Sequence, residues 1–404
     1  MILIVFSIIG LIGASALAID GVNAFIDSRR ADTAATSAAL TAAVTRIEGG
    51  NWRAAALATA AANGYDNNGV TNTVELNTPP LSGPYVGDAE YIEVIVTSHL
   101  PTYFGIVVGV PSITSVAKAV SRSKSSELGE MFPGYALVSL APKTECDRRR
   151  GFWVHSEATI NLIGGGLFVN STNPTCAFIS FGSGSIRVLD SSRITVAGGA
   201  DIQKPHLITP YPIETGVAPI PYPPPYKLPK AGCGSKIATP DELTGTMTSG
   251  NWDEGIFPPE GVHQLDGGVY CLQDDFIVTE GQILEGTGIT IVMESGSIKI
   301  SGKAEINLSA PKDGPNAGLL IYMPIGNHGV IFLNGSDESH YMGTIFAPGG
   351  DLYLNGLDST RGAAYHSQII AYYIEVDGND NIEINYKDEQ NWDTLTMPEV
   401  VLIK

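Results

Sequence analysis

The first nineteen residues, MILIVFSIIGLIGASALAI, carry no charge, and the chain then runs to Gly49-Gly50 without a proline. A stretch of that kind reads as one helix ending at the glycine pair. At 1.5 Å per residue a helix of roughly 48 residues is about 70 Å long, over twice a bilayer core, so a membrane span accounts for only its first half. A secretory signal would bring a basic n-region and a small-residue cleavage site. Ala16-Leu17-Ala18 supplies the second, but the first is missing. Within the run Gly10, Ala14 and Ala18 recur at every fourth position, a stripe that lets helix backbones approach closely in apolar surroundings. The second half carries Ala31, Ala34, Ala35, Ala38, Ala39, Ala42 and Ala43, a thin face suited to a bundle of identical neighbours.

Such a helix must belong to something larger, and composition bounds what that is. The chain has 404 residues, a formal charge of -19, and only 16% charged residues. That acidity argues against nucleic acid or anionic lipid as a partner, since both need clustered cations. Arg148-Arg149-Arg150 is the single dense basic run and reads as a solvated loop. Forty-six glycines and 25 prolines among short β-branched runs indicate a turn-rich β protein. Cys146, Cys176, Cys233 and Cys271 form no CxxC, which removes support for a zinc or thioredoxin-like site. An even count behind an apolar leader fits an oxidising, extracellular compartment. Of three connectivities, pairing of sequence neighbours, Cys146 with Cys176 and Cys233 with Cys271, is preferred. Asn170, Asn307 and Asn334 head permissive glycosylation triplets.

The stretch AIDGVNAFIDSRRADTAATSAALTAA resembles the amino-terminal segment of the TadE/TadG-like proteins of tight-adherence (Tad) pili. Ala18-Ile19-Asp20, the pair Arg29-Arg30, and the run Ala34-Ala35 to Ala42-Ala43 follow that family's order. The segment GPYVGDAEYIEVIVTSHLPTYFGIVVGVPSITSVAKAVSRS resembles its small α/β head. The likeness covers about the first 125 residues. It implies a filament subunit that is held in the inner membrane, handled by a pilus assembly machinery, and polymerised through its helix after a basic leader ahead of Met1 is removed. Pilins typically carry Glu at the fifth mature position followed by Phe; here the pair is Val5-Phe6, so the usual partner for a neighbour's terminal amine is missing. Asp20, Arg29 and Arg30 are then the charges nearest the apolar segment. They either pair between subunits or mark where the helix leaves the membrane.

Beyond a second short helix, Trp52 to Ala62, closed by Asn63-Gly64, the pattern changes at about residue 127 to short β runs. Leu162, Ile179 and Val196 lie 17 apart, as do Gly165, Gly182 and Gly199, which predicts stacked coils with one inward side chain per rung. Downstream, Phe332-Leu333-Asn334-Gly335 recurs 21 residues on as Tyr353-Leu354-Asn355-Gly356, with Asp337 and Asp358 in register. Val376-Asp377-Gly378 follows one residue later than that period requires. A parallel β-helix is the economical reading, because each coil buries its apolar face only by stacking on the next. Between the two repeat regions lies the proline-rich segment 205–232, either a hinge or a strap packed across the coils. Its Tyr211, Tyr222 and Tyr226 favour packing, and Cys233 stands ready to pin its end.

Parallel β-helices often carry glycan-active enzymes, which need paired carboxylates or a carboxylate with a base. Asp274-Asp275 would point to opposite sides of a strand, and Asp337, Glu338 and His340 form a turn cluster. The seven histidines show no ligand spacing, and Asp377-Gly-Asn-Asp380 reads equally as a calcium turn or an Asx turn. No catalytic, cofactor or metal site is expected. The chain is expected to be α+β and mostly β. It begins with an assembly helix (1–48, with Phe6, Gly10, Ala14, Ala18, Asp20, Arg29 and Arg30) and a small α/β head (49–126). An upstream β-helix segment (127–204), the linker (205–232) and a downstream β-helix segment (233–404) follow. The expected function is that of a structural, non-enzymatic subunit of a cell-surface filament, a homopolymer displaying its β domain for adhesion, with surface glycans as candidate targets. A monomeric anchored adhesin or pilus accessory protein, and an anchored glycan-active enzyme, are the alternatives.

Overall fold

Ile2–Ile47 form one helix, α1, and Trp52–Ala62 a second, α2, whose first turn is capped by the Asn51 side chain. The computed structural model describes residues 2–147, 151–190, 192–333, 339–356, 364–366, 368–379, 381–396 and 398–403, with residues 2–12, 14, 16 and 108 described by backbone alone. Three antiparallel strands follow: β1 (Asn72–Asn77), β2 (Tyr91–Pro101) and β3 (Ser112–Lys124). The C-terminal strand Glu399–Ile403 pairs with β3 and completes a four-stranded sheet. Sequence reading assigns residues 399–403 to the second β region, but they return to the first unit, which comprises 1–127 and 397–404.

The alanine face of α1 is used inside this unit. Ala31, Ala34, Ala35, Ala38, Ala39 and Ala42 are fully buried in one core with Ile92, Val94, Val96, Ala117 and Ala119 of the sheet. Small side chains let sheet and helix approach closely enough for Ser121 Oγ to donate to the Ala39 carbonyl (2.7 Å) and Ser123 Oγ to that of Ala43 (3.2 Å). The expected bundle contact through these alanines is therefore corrected: their surface is already covered. Glu93, buried in the same sheet, is held by Lys118 (2.8 Å), Asn77, Ser82 and the Leu81 N–H. Burial opposes its charge, but these partners prevail and bring its pKa down from 4.5 to about 2.

Residues 128–396 form a second unit, inserted between two adjacent strands of that sheet. Its first strand, Leu128–Glu130, pairs antiparallel with its last, Asp393–Leu395, so entry and exit are zipped together. Between them short strands add in turn to long parallel ladders. One ladder contains ten parallel strands, from Ile208–Thr209 at one end to Thr246–Met247 at the other, with Pro240–Asp241 closing that end antiparallel. The other sheet has sixteen strands, because Thr344–Gly356 and Ile369–Gly378 are long enough to bend from one row of pairings to the next. A single apolar interior runs through the stack, from Ile208 and Ile194 to Met247 and Trp252.

Chain order along the stack is not spatial order. Thr159–Ile163 pairs with Ser185–Val188 on one side and with Asn381–Asn385 on the other. The chain enters in the middle, climbs to the Ile208 end, crosses to the Met247 end, and builds back until its last parallel strands meet its first. Nine steps at about 4.8 Å make that crossing about 43 Å. Residues 216–232, extended at about 3.1 Å each, reach about 50 Å. They are the strap. Asn170 exchanges hydrogen bonds with Ile220 (2.7 and 2.9 Å), the Tyr222 hydroxyl donates to the Pro348 carbonyl (2.9 Å), and Tyr226 packs edge-on to Phe132. The strap ends at Cys233, bonded to Cys271.

The 17-residue column does not form. Leu162, Ile179 and Val196 are each buried, but they sit in three different rows of pairings. The stacked partner of Leu162 is Val188, 26 residues on, and that of Leu167 is Ile194, 27 on. Glycines 165, 182 and 199 mark close approaches instead; a Cβ on Gly199 would lie 1.8 Å from the Pro174 carbonyl oxygen. The downstream register holds where described: Phe332 pairs with Tyr353, Leu333 with Leu354, Leu354 with Val376, and Gly356 with Gly378. Asn334, Gly335, Asp337 and Asp358 lie outside the described residues. Phe178, not Ile179, enters the interior, stacked on Phe152 at 5.5 Å. Phe178→Ala should therefore cost about 3–5 kcal/mol, and Ile179→Ala clearly less; urea denaturation of both variants checks the ranking. A second expectation concerns Glu93. Below pH 4.5 the unfolded chain takes up a proton that the folded unit refuses until about pH 2. Stability of the first unit should fall through that window, and Glu93→Gln should flatten the fall in a pH series of melting curves.

Candidate functional site

Where α1 emerges from the first unit, three features meet. Asp20 is buried, 5% exposed, although it lies one residue beyond an uncharged run. Its carboxylate accepts the backbone N–H groups of Tyr103 (2.8 Å), Phe104 (3.0 Å) and Gly105 (2.7 Å). These belong to the turn that joins β2 to β3 and opens the 3-10 segment Gly105–Val108. Burial alone would raise the Asp20 pKa, but the three donors bring it below the ordinary aspartate value. The turn is tight: a Cβ on Gly105 would stand 2.9 Å from the Val110 carbonyl oxygen and 3.0 Å from Thr102. Asp20 thus ties a hairpin tip to the helix, a role that sequence reading does not reach.

Arg29 and Arg30 are exposed, and Arg29 lies over the Phe25 ring at 5.4 Å. Neither is brought to Asp20, whose oxygens are taken by backbone donors. Ala18 is exposed, and the side chains of Phe6, Gly10 and Ala14 lie outside the described ones. Among the described residues no helix is long and apolar enough to cross a membrane.

The cysteines pair as expected, Cys146 with Cys176 and Cys233 with Cys271, which fits an oxidising, extracellular environment. Closing loops of this length contributes about 3–4 kcal/mol each in the chain-entropy account. Asn170 is removed as a glycosylation candidate: it is fully buried, and its amide is committed to Leu140 and Ile220. Asn307 is half-buried on a strand and bonded to Glu305, and Asn334 lies outside the described residues.

Two polar clusters in the second unit bear on chemistry. His155 is held between Glu375 (2.9 Å to Nε2) and Asp377 (3.2 Å to Nδ1), with Trp153 stacked on its ring at 3.8 Å. Ser156 Oγ is 3.2 Å from Nδ1, so serine, histidine and acid coincide, but that hydroxyl donates to Asp377 and both ring nitrogens face carboxylates. No free imidazole nitrogen is left to take the serine proton. Burial would raise the Asp377 pKa; Ser156, the Gly378 N–H and His155 lower it.

A cavity of about 690 Å³ is lined by Asp388, Glu389 and Asp393 together with Trp392, Met342 and Pro311. Near those acids, burial and the charges of Asp388 and Asp393 raise the Glu130 pKa, opposed by the Tyr386 hydroxyl donating at 2.8 Å. Asp275 is fixed by Lys299 (2.7 Å) and the Ser297 N–H, which hold it ionised, while Asp274 is exposed. His340 tilts toward His366 at 6.3 Å; Asp337, Glu338 and Asp380 lie outside the described residues. Among the described residues no group of side chains is arranged to hold a metal ion. No family model and no curated protein matches the chain.

The Asp20 tether generates a direct expectation. Asp20→Ala should speed hydrogen exchange at the Tyr103, Phe104 and Gly105 amides on the order of tenfold, with the β2 and β3 amides unchanged. Unaltered exchange at those three positions would show that the carboxylate does not hold the turn.

Proposed function

We propose that the protein is a structural subunit of an extracellular filament of the tight-adherence pilus type, polymerising through the first half of α1 and carrying its inserted second unit outward as a parallel β-helix. The observation that carries this reading is the unequal use of one helix. From Ala31 onward its small-residue face is buried in its own sheet. Before Asp20 it bears an uncharged run of nineteen residues, and Leu17 and Ile19 are 64% and 48% exposed. Apolar surface of that kind escapes water only in lipid or against copies of itself; burying even ~1,000 Å² contributes on the order of 25 kcal/mol before entropic losses. A membrane-held precursor followed by a helical homopolymer uses both environments in turn. Two disulfides suit a display domain outside the cell. The parallel β-helix is supported by the pairing order, in which the chain returns to neighbouring ladder positions about 18 to 33 residues later.

Deleting residues 2–18 separates assembly from folding, because it spares Asp20 and the buried alanines. The truncated chain should sediment as a folded monomer with both disulfides intact, while the full chain forms filaments visible by electron microscopy. Filaments from the truncated chain would place assembly in the second unit. Discrete monomers from the full chain would favour an anchored adhesin instead.

A further inference from the structure

Resting on that anchored precursor, we infer that the hairpin tip Thr102–Val110 is a second membrane-contacting element, which enters the bilayer interface beside α1 and is set at that depth by Asp20. The tip is the most apolar exposed loop of the first unit. Tyr103 is 73% exposed, Phe104 42%, Ile106 60%, Val107 83% and Val110 46%. A solvated turn carries glycine, asparagine and serine; five large apolar residues on one tip make a contact surface.

Height along α1 identifies the partner. Asp20 bonds the tip at Tyr103, Phe104 and Gly105, so the loop sits level with residue 20 of the helix. The uncharged run ends at that level, and its nineteen residues at 1.5 Å give about 28 Å, close to the ~30 Å of a hydrocarbon core. The tip therefore lies where tyrosine and phenylalanine partition at a membrane boundary. The first exposed cations, Arg29 and Arg30, follow on the aqueous side, about 14 Å further along.

In the precursor, before assembly, direction separates lipid from a single docked copy of the chain. At 100° per residue, Ile19, Val22, Phe25 and Ile26 lie at least about 100° around the helix from Asp20, yet they too are exposed, by 43% to 62%. Apolar surface thus points away from the loop as well as along it. One flat neighbour covers one side; a bilayer surrounds both.

The test uses the full chain in vesicles of phosphatidylcholine and phosphatidylglycerol. An environment-sensitive nitrobenzoxadiazole label is placed at Val107→Cys, and in parallel samples at Leu17→Cys on the helix and at Leu243→Cys, which is 97% exposed in the second unit. The native cysteines are all in disulfides and do not compete. With lipids spin-labelled near the headgroup, the Val107 and Leu17 probes should be blue-shifted and quenched by about twofold or more, and the Leu243 probe unaffected. Adding Asp20→Ala should relieve quenching at Val107 while leaving Leu17 quenched. A Val107 probe in water beside a quenched Leu17 overturns the inference and leaves the anchoring reading standing. Both probes in water overturn the anchor itself. Shielding of Val107 only in lipid-free oligomers overturns the inference in favour of a second copy.

Discussion

Everything in the second unit depends on one parallel seam, where Asn381–Asn385 is laid against Thr159–Ile163 and Ile369–Gly378 against Tyr135–Ser139 and Phe152–Val154. Until those strands pair, the first parallel strands present a bare edge in the middle of the ladders, and so do the last. The seam pairs residues 159 and 381, which are 222 positions apart, whereas neighbouring parallel strands elsewhere close about 25 residues. Loop-closure entropy grows only with the logarithm of length, so this junction costs about 2 kcal/mol more than an ordinary coil-to-coil step. The strap and the Cys233–Cys271 bond shorten the effective loop, and the antiparallel pair Leu128–Glu130 with Asp393–Leu395 holds the two ends in place.

The seam also explains the strap. A chain that begins in mid-stack and ends there must cross the full length of the stack once on its outside. Such a crossing cannot use ladder pairing, since the rows it passes are already occupied. Proline answers this, because it donates no backbone hydrogen bond and favours an extended path. The remaining affinity comes from side chains: Val217, Ile220, Tyr222, Tyr226 and Leu228 pack on Val138, Phe168, Tyr322, Phe346 and Ile370. Of the three tyrosines that argue for packing, two are in this contact and Tyr211 stands 55% exposed.

What is legible in the sequence follows from range. The long helix, the cysteine pairs, and the register of Phe332-Leu333 on Tyr353-Leu354 rest on short or strictly periodic signals, and such signals survive in one dimension. The 17-residue series misleads because it counts turns within a coil, where glycine is needed for close approach, as though they were steps between coils. Nothing local announces that residue 381 pairs with residue 159, or that Glu399–Ile403 returns to β3. Asp20 stands out in the sequence by its charge, but its partners are three backbone amides more than 80 residues away, and a backbone donor leaves no mark in a sequence. The alanines of α1 read as a face for neighbours because small residues suit any close packing, a sheet as well as a helix.

One helix therefore has a buried face along one part of its length and an exposed apolar run along another, and the division falls at Asp20. Behind it, alanine gives the least apolar area per residue and the closest approach, which suits a permanent fit to the protein's own sheet. Ahead of it, leucine, isoleucine and valine give the most area and the least geometric demand, which would suit the change from lipid to neighbouring copies that the proposed function requires. A carboxylate at the border would be costly in either setting unless it were satisfied from within. Three backbone donors do that at a fixed height on the helix. The same bonds decide where the folded unit ends and the interchangeable surface begins.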